Sequence, residues 1–106
     1  MKILDAMRNR LRRVSVRRLW LEHERYAGQR VITTGVVRAF EAGTPDEYFV
    51  LDDGPNRIGL RGDRARLRQH LGRRVRATGT LAFKPGVGIF LDVETITTGH
   101  AGRGET

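Results

Sequence analysis

The side chains that most often do covalent chemistry are sparse in this sequence. It contains no cysteine, which removes a thiolate nucleophile, a thiolate metal site and any disulfide framework. His23, His70 and His100 stand far apart, none at a metal-ligand spacing and none within an H-E-x-x-H pattern. Each reads as an exposed or helix-end histidine. Asp52 and Asp53 are adjacent carboxylates, but Gly54-Pro55-Asn56 follows them, and that context makes them turn formers rather than metal ligands. There is no Walker A loop, no G-x-G-x-x-G and no G-x-S-x-G. Gly86-Val87-Gly88 is too short to cradle a phosphate. The expectation is a protein that binds rather than catalyses, with no metal and no cofactor.

What the chain has in abundance is arginine. Twenty Lys and Arg face twelve Asp and Glu, a net charge of +8 over 106 residues, and Lys2 and Lys84 are the two lysines. Such a balance favours polyanionic partners, namely RNA, DNA or an anionic membrane. Arginine together with abundant glycine and alanine is also what a GC-rich coding sequence yields, so composition alone leaves both readings open.

The basic charge is concentrated in residues 1–25, which hold eight basic and three acidic side chains. Ile3, Leu4, Met7, Leu11 and Val14 recur there at helical spacing, surrounded by Arg8, Arg10, Arg12, Arg13 and Arg17. The spacing predicts a basic amphipathic helix over 3–23, with a break point at Ser15. Such an arm either lies along phosphates or lipid headgroups, or packs its apolar stripe on the domain and leaves its arginines solvated. Trp20 and Leu21 are expected to anchor it.

The length and a hydrophobic content of 39% allow one domain with one modest core. No stretch approaches the apolar run needed to cross a membrane. Arginines interrupt the N-terminal region where a secretory signal would be apolar, and its likeness to a transit peptide is weak. The expected location is cytoplasmic.

The elements that must position any binding residues begin with Gly28 to Phe40, a long strand with Gly35 inside it. Its opening recurs: Gly28-Gln-Arg-Val-Ile-Thr-Thr-Gly35 matches Gly72-Arg-Arg-Val-Arg-Ala-Thr-Gly79. A glycine within a strand marks a bulge, a bend or a close backbone approach, and two strands bent at equivalent points predict a sheet that curls closed. A bulge is expected at Gly35. On the first strand Val31, Thr33 and Val37 share a face. Glu41 to Asp46 has turn chemistry in Gly43 and Pro45.

The second strand, 47–52, puts Phe49 and Leu51 on one side and Tyr48 and Val50 on the other. After the turn at 52–56, strand 57–61 turns Ile58 and Leu60 inward and Arg57, Gly59 and Arg61 outward. Asp63 caps a short helix whose buried stripe is Leu67 and Leu71, and Gly72 ends it. Strands 73–83 and 89–96 follow, joined by a hairpin at 84–88. The barrel is expected to span 26–98, after the helix of 1–25 and before a disordered tail at 99–106.

The order β-β-β-α-β-β resembles the five-stranded Greek-key barrel of the oligonucleotide/oligosaccharide-binding (OB) fold. The residues Gly28, Val31, Gly35 and Val37, then Tyr48-Phe49-Val50-Leu51-Asp52-Asp53, then Arg57-Ile58-Gly59-Leu60 resemble the anticodon-binding domains of class II aminoacyl-tRNA synthetases. They are similar also to the wider bacterial set of small nucleic-acid-binding barrels. The resemblance covers about residues 26–97. It implies a binding face on strands one to three, where bases stack on outward aromatics while basic side chains hold phosphates. It places Tyr48 as the stacking aromatic, Phe40 as a second platform, Arg38, Arg57 and Arg61 on the same surface, and Lys84 in the final hairpin.

Three features depart from the pattern. Glu41, Asp46 and Glu47 put negative charge in the first loop, the face offers one well-placed aromatic, and no synthetase catalytic domain accompanies it. The implied function is a non-catalytic module for single-stranded DNA or RNA. The alternative is a protein-interaction barrel that uses a strand edge or the N-terminal helix, with the apolar stripe of 3–14 as the contact.

Overall fold

The computed structural model describes residues 11–98. They form β1 (Arg12–Arg13), α1 (Val16–Leu21), α2 (His23–Tyr26), β2 (Arg30–Phe40), β3 (Tyr48–Asp52), β4 (Arg57–Arg61), α3 (Arg64–Gln69), β5 (Arg74–Lys84) and β6 (Gly88–Thr98). The strands make one mixed six-stranded sheet in the order β1-β2-β3-β4-β6-β5, and an additional pairing of β2 with β5 closes it into a ring. The closing pairs are antiparallel except β4 with β6, which run parallel.

The ring closes because the two copies of the repeated sequence pair with each other. In the β2–β5 register, Val31 faces Gly79 and Gly35 faces Val75. Each repeat's valine therefore lies opposite its partner's glycine, about a local two-fold at Thr33 and Ala77. The backbone hydrogen bonds obey the same symmetry. Gly28 N–H donates to Leu81 and Leu81 N–H to Gln29, while Gly72 N–H donates to Val37 and Val37 N–H to Arg73. Gly28 and Gly72 enter this arrangement at φ +85° and +78°, backbone that a side chain would strain.

The two internal glycines do different work. β2 keeps its register through Gly35, so the expected bulge is absent there. The glycine instead admits β3, since a Cβ would lie 2.9 Å from Leu51 Cγ and 3.0 Å from the Asp52 carbonyl oxygen. The bulge lies between Thr78 and Gly79 in the pairing of β5 with β6, where Glu94 is the extra residue. A methyl group at Gly79 would run into the Asp92 carbonyl oxygen.

The interior follows from alternation. Val31 and Val37 from β2, Phe49 and Leu51 from β3, Ile58 and Leu60 from β4, Val75, Ala77 and Leu81 from β5, and Leu91 and Ile96 from β6 are buried. Each full burial of a large apolar side chain contributes about 1.5–3 kcal/mol. Thr33 is buried with them, its hydroxyl without a partner.

The N-terminal segment departs from the expected helix. Within the described part of that region, Arg12 and Arg13 pair in parallel with Val31 and Ile32 of β2, which adds a sixth strand to the expected five. Helix begins only at Val16. Ser15 caps it by accepting from Arg18 N–H at 3.0 Å, an option that competes with continuous helix at that residue. Val14, Val16 and Leu19 supply the burial, and α1 lies against β4 and β2. Trp20 and Leu21, expected as anchors, are exposed; on a helix that buries positions 16 and 19, Leu21 falls on the opposite side and Trp20 on the flank of the buried face. The residues of the expected helix before Leu11, with most of its apolar stripe, lie outside the described residues, as do the tail 99–106 and His100.

α3 begins at its Asp63 cap, which accepts from Ala65 N–H, and buries Leu67. Leu71, expected beside it, is exposed. The helix has ended by then, and the Leu71 backbone bridges Val37 instead.

Candidate nucleic-acid interface

The outward face of the sheet around β3 gathers most of the residues singled out above. β2 places Arg38 and Phe40 there, β3 places Tyr48, Val50 and Asp52, and β4 places Arg57, Gly59 and Arg61. Register brings them together: Phe40 pairs with Tyr48, Arg38 with Val50, Val50 with Gly59, and Gly59 with Phe90 of β6.

Phe40 and Tyr48 stack on each other, with ring centroids 5.4 Å apart and planes at 25°, and Tyr48 remains 51% exposed. Arg57 lies over the Phe40 ring at 5.2 Å. Beside this pair runs an open groove of about 450 Å³ lined by Tyr48, Val50, Gly59, Arg61, Val87 and Phe90 among others. Its floor is apolar because Gly59 has no side chain: a Cβ there would sit 3.1 Å from the Phe90 Cβ, so the Phe90 side chain occupies the space. Arg61 covers that ring at 4.4 Å and approaches Asp92 at 3.8 Å. Val87 comes from the turn between β5 and β6, and is 70% exposed.

The arginines are not equivalent. Arg38 Nε donates to Asp52 at 2.9 Å, and the Asp52 carboxylate also accepts from Gly54 N–H at 2.7 Å. The Gly54 N–H, followed by the Arg38 bond and the charges of Arg57 and Arg38, outweighs desolvation and holds the Asp52 carboxyl below its ordinary range. Asp52 and Asp53 thus serve the turn, Asp53 accepting from Asn56 N–H. Arg38 is committed to that carboxylate, whereas Arg57 has an aromatic ring and no ion pair among the described residues. Lys84 ends β5, paired with Gly88; among the described residues nothing joins it to Tyr48, Phe40 or the arginines.

The acidic first loop is partly neutralised. Glu47 is buried, and its carboxylate accepts from Arg64 at 2.6 Å and from Arg68. Both guanidiniums also lie over the Phe49 ring, at 5.4 Å and 5.7 Å. Of the three acids expected to repel phosphate, Glu47 is instead an anchor that draws two arginines of α3 over the Phe49 ring, with Arg64 lining a cleft that also includes Tyr48 and Arg61.

Phe90 and Val87 are the groove members that sequence reading missed. Gly88-Ile-Phe-Leu reads as a continuous apolar run, so alternation did not separate Phe90 from the core. The signal available was Gly59 on the outward face of β4, which needs a large neighbour above it. His23 and His70 make local helix-end contacts, His23 with the Trp20 carbonyl and His70 with the Arg66 carbonyl. Among the described residues no group of three potential metal ligands comes together.

No protein-family profile and no curated protein sequence matches the chain. Solved structures do resemble it. A putative aspartyl-tRNA synthetase from Leishmania major Friedlin matches 81% of this chain at TM-score 0.59 and 16% identity, over 20% of its own length. The hypothetical protein ygiW from E. coli matches 80% of this chain and 87% of its own, at TM-score 0.58 and 17% identity. RecG bound to a three-way DNA junction matches 86% of this chain at TM-score 0.55 and 20% identity, over 13% of its own length. The chain thus spans a small part of the synthetase and of RecG. These likenesses show an OB-like fold.

Proposed function

We propose that the face of β2, β3 and β4 binds single-stranded nucleic acid without catalysing a reaction on it. The observation that carries this reading is the stacked Phe40–Tyr48 pair, at the mouth of an apolar groove and flanked by Arg57 and Arg61. An aromatic platform takes the face of any base, and guanidiniums beside it take phosphate. The groove is open and apolar-floored, which suits unstacked bases rather than a duplex. Arg64, in an adjoining cleft that shares Tyr48 and Arg61 with the groove, adds to the basic surface, while Arg38 serves chiefly to hold the β3–β4 turn through Asp52. OB-like neighbours include RecG in complex with DNA and a tRNA synthetase, so a fold of this shape is compatible with such a ligand.

Fluorescence anisotropy with labelled single-stranded DNA, single-stranded RNA and duplex DNA, across a salt series, tests the reading. Single strands should bind more tightly than duplex, and Tyr48→Ala should weaken them by about 1–3 kcal/mol, the magnitude of stacking on one base. Strand-indifferent binding that Tyr48→Ala leaves unchanged would refute it.

A further inference from the structure

A second basic surface lies on the β2–β5 seam, away from the groove. β1, β2 and β5 together contain no acidic residue. Their outward positions run in rows fixed by register. Arg13 pairs with Ile32, Ile32 with Thr78 and Thr78 with Thr95; in the next row Thr34 pairs with Arg76 and Arg76 with Thr97; in the next, Arg74 pairs with Val36, and Val36 with Asp52 of β3, whose carboxylate is bound by Arg38. Rows two residues apart are separated by about 7 Å, and neighbouring strands by about 4.8 Å. Arg13, Arg74 and Arg76 therefore form a triangle of positive charge with threonine hydroxyls between them. All three arginines are exposed, and none has an ion pair among the described residues.

Carboxylates engage Arg18, Arg25, Arg30, Arg38, Arg61, Arg64 and Arg68, whereas Arg13, Arg74 and Arg76 belong, with Arg12, Arg17, Arg57, Arg66 and Arg73, to the arginines without an ion pair among the described residues; what sets the three apart is that they share one set of rows on the sheet. No aromatic ring occupies these rows. A surface of guanidiniums and hydroxyls is suited to phosphates, and it has no ring on which a base could stack.

We infer that this seam is a second, sequence-independent contact for the phosphate backbone of nucleic acid, used together with the groove. It rests on the preceding reading only in taking nucleic acid as the ligand. The ring directs β3 and β4 one way and the β2–β5 seam another, so a strand long enough to leave the groove can continue onto the seam. A strand of about four nucleotides, near the smallest site size of such a fold, fills the groove alone.

The test compares wild type, Tyr48→Ala, a triple Arg13→Gln/Arg74→Gln/Arg76→Gln variant and the corresponding triple lysine variant. Each is measured by anisotropy on short and long oligothymidylate across salt, with thermal melts to establish folding. The glutamine variant should leave the short strand unchanged. On the long strand it should reduce the log–log salt slope by about 2, because each phosphate neutralised on a single strand contributes roughly 0.7. The lysine variant should restore the slope, because a phosphate contact needs charge rather than a fork. An unchanged long-strand slope in the glutamine variant overturns the assignment. So does an unchanged slope accompanied by weaker binding to phosphatidylserine vesicles, which would give the seam to a lipid surface. If Tyr48→Ala has no effect on either strand while the glutamine variant lowers the slope, the seam assignment stands and the groove assignment falls.

Discussion

The groove and the seam are built from the same residue type on the same sheet, yet their arginines are in different states. On the groove side, Arg61, which lines the groove, and Arg38, Arg64 and Arg68 nearby each have a carboxylate within 4 Å, and Arg57 lies on an aromatic ring. On the seam, Arg13, Arg74 and Arg76 stand among threonines in the rows set by register. Charge counting therefore ranks the two surfaces the wrong way round for base recognition. The groove has fewer uncompensated charges but has the rings, the glycine floor and the fixed guanidiniums. The seam has unpaired arginines and no ring on which a base could stack. An ion pair positions a side chain but weakens its field, and the two surfaces lie at opposite ends of that exchange.

The largest effect should come from the glycines that let neighbouring strands approach within the ring. Gly79→Ala puts a methyl group against the Asp92 carbonyl in a register fixed by the β6 bulge, and should lower stability by about 3 kcal/mol or more. Gly35→Ala, whose nearest neighbour is the Leu51 side chain, should cost about half of that. Urea melts of the two variants check the order; equal losses would mean that the bulge is not what makes Gly79 restrictive.

A smaller effect separates anchoring from repulsion at the groove rim. Glu47→Gln removes the carboxylate shared by Arg64 and Arg68. With both guanidiniums about half exposed, the loss should be about 1–2 kcal/mol after allowance for solvent screening. The same variant should steepen the salt slope of strand binding, since two arginines gain free charge. A stability loss without any change in slope would confine Glu47 to a structural role and remove Arg64 and Arg68 from the interface.

The smallest effect concerns pH. Asp52 is held below its ordinary range chiefly by the Gly54 N–H and Arg38, and Glu94 by its bidentate bond to Arg30. A folded-state value below the unfolded one gives stability that is present above about pH 4, the unfolded carboxylate range, and is lost as pH falls through the depressed value. Asp52→Asn should flatten part of that acid limb and leave the part due to Glu94. A full acid limb in the variant would show that Asp52 does not contribute. Because the variant also releases Arg38, a gain in strand affinity at neutral pH would move Arg38 into the binding set.

Local pattern accounts for a good deal of this protein. Period-two alternation assigned the inward residues of β2 and β4, the turn chemistry of Asp52 to Asn56 ended β3, and Asp63 opened α3, although the helix stops at Gln69, short of the Gly72 expected to end it. The repeated Gly-x-Arg-Val segment pointed to a closed sheet, and the absence of cysteine and of nucleotide-binding motifs directed attention to non-covalent binding. These properties depend on neighbours within a few residues, which a sequence displays.

The rest depended on partners distant in the chain. Helical spacing over 3–23 competed with the Ser15 cap and with β1 joining the edge of β2, and pairing with β2 is a tertiary fact. Whether a strand glycine holds a bulge or a close approach is settled by the strand across from it, which is why Gly35 and Gly79 differ. Phe90 became part of the groove only because Gly59 lies beneath it, and Glu47 became an anchor only because α3 brings Arg64 and Arg68 to it. The order of residues established which positions are apolar, charged or free to turn. Closure of the ring then selected which charges are neutralised and which face a ligand, because Coulomb and packing energies depend on distances between strands rather than positions along them.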